Sequence, residues 1–192
     1  MELKDQTSMT ALVSAFSRAY HHKHSQERVY DDPLAQQLLS PQEYHGIAAQ
    51  MSKGVDFFVP GFTGTEEEAL AAVVNHQLAP SPLGRAAFAQ AYLEQAVSSG
   101  TEQYVILAAG YDTFAYRRPM WAKDLYIYEA DRPAMLWDKA NRLQRAGIPL
   151  GQKTRLVEVD LAEADWQEKL IMAGLDVQKK KLCQRAWPEL LS

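Results

Sequence analysis

The 192-residue sequence predicts an α/β fold: an N-terminal helical cap followed by the first half of a doubly wound parallel sheet, incomplete on its C-terminal side. Three observations point there. Apolar residues recur at helical spacing through the first half of the chain; in the second half short apolar runs alternate with helical stretches; and each of those runs ends in a glycine or an acid. Alternation of strands and helices at this spacing implies parallel pairing with right-handed crossovers.

Residues 1–100 read as the helical cap. Met9, Leu12, Val13, Phe16 and Tyr20 share one helix face behind a candidate N-cap, Ser8. In DDPLAQQLL, Pro33 suits the first turn of another helix. The stretch 52–64, SKGVDFFVPGFTG, is expected as a loop, because Gly and Pro break both periods. Thr65 and Glu68 form a capping-box pair ahead of Leu70, Val73 and Val74. Ser81 and Pro82 are expected to open a further helix, carrying Arg85, Phe88 and Tyr92 and ending near Gly100. His21, His22 and His24 are expected on a wet helix face and not around a metal, since no carboxylate or cysteine completes a site.

Residues 101–178 carry the strands. YVILAA, Tyr104 to Ala109, is a continuous apolar run, as a strand buried on both faces requires, and Gly110 ends it. LYIYEA, Leu125 to Ala130, is the second and closes on Asp131; Pro133 then starts a helix running to about Gly147. RLVEV, Arg155 to Val159, is the third and closes on Asp160, ahead of a helix from Trp166 to Ala173.

Composition narrows the partners. A net charge of −4 and an isoelectric point near 5.7 argue against a nucleic-acid surface or an anionic membrane. A single cysteine, Cys183, cannot form an internal disulfide, which suits a reducing compartment. The first residues lack the apolar core of a secretory signal. No apolar run approaches the roughly 20 residues that span a bilayer, so a soluble, cytoplasmic protein is expected.

In doubly wound sheets ligands sit at the carboxyl ends of the strands. The three ends here read AAGYDT, EAD and EVDL. Gly110 allows backbone to approach a ligand closely. Asp131 follows it by 21 residues, the spacing of a carboxylate that accepts from ribose hydroxyls. Asp160 can accept from an adenine amino group while the backbone of Leu161 donates to a ring nitrogen. Each residue also has a plain structural role: Gly110 as a turn, Asp131 as a helix cap before Pro133, Asp160 as a solvated loop acid. Two alanines precede Gly110 in place of a full G-x-G-x-x-G, so a nucleoside without phosphates fits better than a dinucleotide.

YVILAAGYDTFAYR, YIYEADRP and VEVDL together resemble the leucine carboxyl methyltransferase-like group of class I S-adenosylmethionine-dependent methyltransferases. SRAYHHKHSQERVYDDPLAQQLL is similar to that group's helical cap, and the resemblance covers roughly residues 8–178. It implies a Rossmann-like methyltransferase fold and S-adenosyl-L-methionine as cofactor. It implies cofactor contacts at Gly110, Asp131, Asp160 and Leu161, and an arginine gripping the methionine carboxylate, for which Arg85 is the match. Arg85 otherwise reads as a solvated helix arginine. The implied reaction moves a methyl group from the sulfonium onto an oxygen, that of a carboxylate or another oxygen nucleophile on a small molecule or a protein. A carboxylate is already ionised at neutral pH, so no catalytic acid or base is assigned.

The family fold places strands in the order 3-2-1-4-5-7-6, and only 32 residues follow Asp160. Residues 179–192 are expected as an aberrant tail in which KKKLCQRAWPELLS is no strand. The first strand would then lie at an exposed apolar edge, prone to oligomerise. A shifted frame of plausible codons for the tail gives NFVSVLGRSYL, similar to the family's continuation, so a frameshift near Lys179–Lys181 is expected, and with it an inactive product. Two competing readings remain: a noncatalytic fragment acting through oligomer or partner contacts, and a nicotinamide-dependent oxidoreductase sharing the strand–helix pattern.

Overall fold

A computed structural model of the chain describes residues 8–185. Those residues form two compact units, one of Met9–Phe88 and one holding everything from Ala89 on.

The first unit is helical. α1 spans Met9–His24, α2 Pro41–Lys53, α3 Val55–Phe58 and α4 Glu66–Val73. The Thr65 capping box forms in full: Thr65 Oγ1 accepts from Glu68 N and the Glu68 carboxylate accepts from Thr65 N. A second capping box, Ser40 with Glu43, opens α2, with Pro41 in the first turn. Three expectations need correction. Pro33 starts no α-helix; only a 3-10 turn, Ala35–Leu38, follows it. The stretch 52–64 is partly helical, since α2 runs to Lys53 and α3 follows. Ser81 and Pro82 do not open a helix but lie inside a π-helical segment, Val74–Leu83, that leads directly into α5, Gly84–Ser98. Pro80 and Pro82 lack the N–H that a regular α-helical turn would use, which favours the wider turn.

Within this unit Asp32 of the DDPL stretch is completely buried. Its Oδ2 accepts from Arg18 Nε at 2.7 Å, and its Oδ1 accepts from the backbone of Leu34 and Ala35. The His cluster does not present one wet face. His21 is buried, with Nε2 accepting from Val29 N at 3.1 Å and Nδ1 2.8 Å from Ser25 Oγ. His22 pairs with Asp31, and His24 stacks on Tyr20.

The second unit is a parallel sheet of four strands: β1 Gln103–Leu107, β2 Tyr126–Asp131, β3 Thr154–Glu158 and β4 Lys181–Arg185. Their order is β3-β2-β1-β4. α6, Pro133–Arg145, links β2 to β3, and α7, Trp166–Met172, lies between β3 and β4. The first crossover is not the helix that strict alternation predicts; residues 108–119 are turns, followed by a 3-10 turn, Met120–Ala122. KLCQR is likewise a strand after all: β4 pairs with β1 from Gln103↔Lys181 to Leu107↔Arg185. β1 is therefore an interior strand and not an edge. Residues 186–192, the rest of the expected aberrant tail, lie outside the described residues.

Strand alternation gives the sheet two different faces. Tyr104, Ile106 and Ile127 meet Leu93, Phe114, Ala122 and Leu125 on one side. Val105, Tyr128, Ala130, Val157 and Val159 meet Leu170 and Leu175 on the other. α6 buries Met135, Leu136, Lys139 and Leu143, a helical i, i+1, i+4, i+8 set. α6 and α7 close on Gly147 (φ 68°) and Gly174 (φ 102°), left-handed positions that let Ile148 N and Leu175 N reach back to the carbonyls of Leu143 and Leu170.

Candidate functional site

Three backbone turns converge where β1, β2 and β3 end. The ladder continues past the strands: Ala109 N donates to Ala130 O at 3.2 Å, and Val159 N to Asp131 O at 2.9 Å. Those two bonds set Gly110, Asp131 and Asp160 at neighbouring strand ends. β1 leaves the sheet through Ala108 at φ 53° and Gly110 at φ 50°. A left-handed alanine costs on the order of 1 kcal/mol, and such outliers concentrate at ligand-binding turns.

Asp131 spans two of these ends. Its Oδ2 accepts from Gly110 N at 2.7 Å and its Oδ1 from Arg132 N at 2.8 Å. An ionised carboxylate has about four lone-pair sites, so two remain for hydroxyl donors. Asp131 is half-buried, which leaves it open to a ligand. Asp160, also half-buried, folds its own turn through Oδ1 to Ala162 N at 3.0 Å. Leu161 packs against the apolar cluster on the α7 side of the sheet, fixing the backbone that follows Asp160. Arg85 belongs to the helical unit; it is exposed, on the first turn of α5, and its Nε donates to Ser81 O at 3.4 Å.

The segment after Gly110 is held from below. Asp112 Oδ1 accepts from Phe114 N, and the Tyr111 hydroxyl donates to Asp138 on α6. Asp138 also accepts from Arg142 Nε at 2.7 Å, and the Arg142 guanidinium lies 4.8 Å from the Tyr111 ring centre. Deeper on the same side, Glu129 and Lys139 are fully buried, with Lys139 Nζ 2.8 Å from Glu129 Oε2. The Tyr116 hydroxyl donates to the same oxygen at 2.7 Å. Burial pushes the Glu129 carboxyl upward, against the pull of Lys139 and Tyr116, and pushes the Tyr116 phenol far upward. Sequence reading named none of these residues. Glu129 was visible within EAD, but its partners stand 10 and 13 residues away on other elements, with no spacing rule to find them.

A three-layered arrangement of this kind, with parallel strands in the order β3-β2-β1-β4 and acids at the ends of β2 and β3, defines a Rossmann-like α/β protein. The sequence model of the leucine carboxyl methyltransferase family matches residues 11–185, and the chain belongs to that family. It is 33% identical over 175 residues to YktD of Bacillus subtilis (strain 168), covering 89% of this chain and 58% of the relative. It is 31% identical over 179 residues to a protein of Mycobacterium ulcerans (strain Agy99), covering 91% and 54%. A third relative, from Saccharopolyspora erythraea, is 30% identical over 168 residues, covering 88% and 52%. All three bear the name S-adenosyl-L-methionine-dependent methyltransferase. The chain spans a little over half the length of these curated relatives.

Proposed function

We propose that the sheet unit binds S-adenosyl-L-methionine at the ends of β1, β2 and β3, as part of an O-methyltransferase acting on a carboxylate of a small molecule or protein. The observation that carries the reading is the Asp131–Gly110 contact at 2.7 Å, which fixes a carboxylate with spare acceptor capacity beside a left-handed glycine turn. Asp131 would take the ribose hydroxyls. Asp160 would accept from the adenine amino group and Leu161 N would donate to the ring. Arg85 would hold the methionine carboxylate with two parallel bonds, which a point charge cannot reproduce.

The turn itself favours a nucleoside over a dinucleotide. No helix begins after Gly110; residues 111–119 are turns, so the stacked N–H groups that bind a pyrophosphate are not built there. When bound, the cofactor supplies an electrophilic methyl on its sulfonium. An oxygen nucleophile that is already ionised needs no base, so the chain's part is positioning and exclusion of water.

Calorimetry with S-adenosylhomocysteine tests this directly. Asp131→Ala is expected to weaken binding by about 1.5–3 kcal/mol, the range for charge-assisted hydrogen bonds. A nicotinamide dinucleotide should bind neither protein. Equal affinity of wild type and variant for S-adenosylhomocysteine removes Asp131 from the site, and preference for the dinucleotide overturns the reading.

A further inference from the structure

We propose that Glu129 and Lys139 are positioning residues for the Gly110–Asp131 contact, an inference that rests on reading the strand ends as a cofactor site. Glu129 and Asp131 are two residues apart on β2, so both side chains leave the same face of the sheet. Glu129 and Lys139 are each 0% exposed, and Glu129 Oε1 is enclosed without a hydrogen-bond partner among the described residues. A buried ion pair of this kind adds little net stability over apolar residues of similar volume, yet losing one partner leaves an uncompensated charge. Its evident effect is geometric. Three segments meet at Glu129 Oε2: β2 itself, α6 through Lys139 Nζ at 2.8 Å, and the turn segment 111–117 through the Tyr116 hydroxyl at 2.7 Å. Lys139 Nζ also lies 5.4 Å from the centre of the Tyr116 ring, which holds the ammonium against the segment's last turn.

The same helix holds the other end of that segment. Asp138, next to Lys139, accepts from Tyr111, the residue after Gly110, and from Arg142. α6 thus fixes residues 111 and 116 at adjacent positions of its own backbone. The segment between has only turns, with no ladder of its own to define its height above the sheet. The Gly110 N–H meets Asp131 because α6 holds the segment down, and the Glu129–Lys139 pair sets where α6 lies on β2.

The test uses Glu129→Gln, which keeps shape and the Tyr116 contact but strips the counter-charge from Lys139, beside Glu129→Gln/Lys139→Met, which removes both charges. Three readouts are taken together: S-adenosylhomocysteine affinity by calorimetry, exchange of the Gly110 amide by NMR, and thermal stability. The single variant is expected to bind about tenfold or more weakly and to exchange the Gly110 amide faster, and the double variant to recover most of both. On an Asp131→Ala background, Glu129→Gln should cause no further loss of affinity, because the two act through one contact. If the single variant does not fold, Tyr116→Phe carries the test, with weaker binding and faster Gly110 exchange expected and no buried charge left alone. A variant that melts earlier but keeps both affinity and Gly110 protection overturns the proposal, leaving the pair as mere scaffold. A wild-type chain that binds no S-adenosylhomocysteine overturns the cofactor reading and this one with it. Wild-type binding matched by Glu129→Gln overturns this one alone.

Discussion

His21 shows how a single side chain departs from its apparent role. It falls among three histidines in four residues, which suggests a solvated helix end. Instead its ring closes the turn after α1, with Nε2 accepting from Val29 N and Nδ1 beside Ser25. An Nε2 that accepts must be unprotonated, so the neutral ring donates from Nδ1. Burial lowers the His21 pKa below its ordinary value near 6.5, and His24 is lowered by burial and then by Lys23. The sign follows: the unfolded chain binds the proton more readily, so stability is complete above pH 6.5 and declines as pH falls below it. Thermal unfolding at pH 7.5 and 5.5 is expected to show a loss of stability that His21→Gln reduces and that His21→Gln/His24→Gln reduces further. A variant with the same pH slope as wild type would assign the loss to other groups.

At the scale of elements, β1, which reads as an unbroken apolar run, forms nearly where the sequence placed it, because burial on both faces leaves no polar positions to blur the pattern. β4 was not legible. Lys181, Gln184 and Arg185 give it no apolar run, and its strand geometry comes from pairing with β1, a non-local fact. The side chain of Gln103 contributes to that pairing. It is 2% exposed, its Nε2 donates to Asp176 O and its Oε1 accepts from Asp176 N, both at 2.8 Å, pinning the turn that feeds β4. Gln103→Ala would leave the Asp176 backbone without these partners, at a cost of about 1–3 kcal/mol. Hydrogen exchange should then show β4 amides losing protection before those of β2 and β3; uniform loss across the sheet would deny Gln103 this local role. The α4 cap was legible in Thr65 and Glu68, whereas the π-helical stretch was not, since its prolines look like a helix start. At the site, Gly110 and Asp131 were readable from their 21-residue spacing, and the structure puts them in contact. The contacts of α6 with Tyr111 and Glu129 were not, because Asp138 and Lys139 join other elements through a hydrogen bond and an ion pair that follow no fixed sequence spacing.

For the molecule as a whole, the sheet's two outer strands among the described residues are β3 and β4. An unpaired parallel edge is a template for another strand, and lysine on such an edge discourages pairing. The run Lys179–Lys181 leads into β4, whose first residue, Lys181, is exposed, while Lys179 pairs with Glu102 at 2.7 Å. Lys181→Val should raise concentration-dependent association in light scattering, more so at high salt, where the remaining charges are screened. An unchanged scattering mass at all concentrations would place any oligomer contact elsewhere. No helix among the described residues is long and apolar enough to cross a membrane.

The two carboxylates of β2 sit on one face because a single residue, Ala130, separates them, and Ala130 itself is completely buried on the opposite face. The pleat makes that spacing a parity rule. Deleting Ala130, or inserting one residue beside it, would send one of the acids through the sheet into the apolar layer of Val105, Val157 and Leu170. Substitutions at these positions can be graded by size and charge, but a change of length cannot. β2 is therefore the part of the chain where insertions and deletions should be least tolerated, while the turns of 111–119 can vary in length so long as Tyr111 and Tyr116 still reach α6.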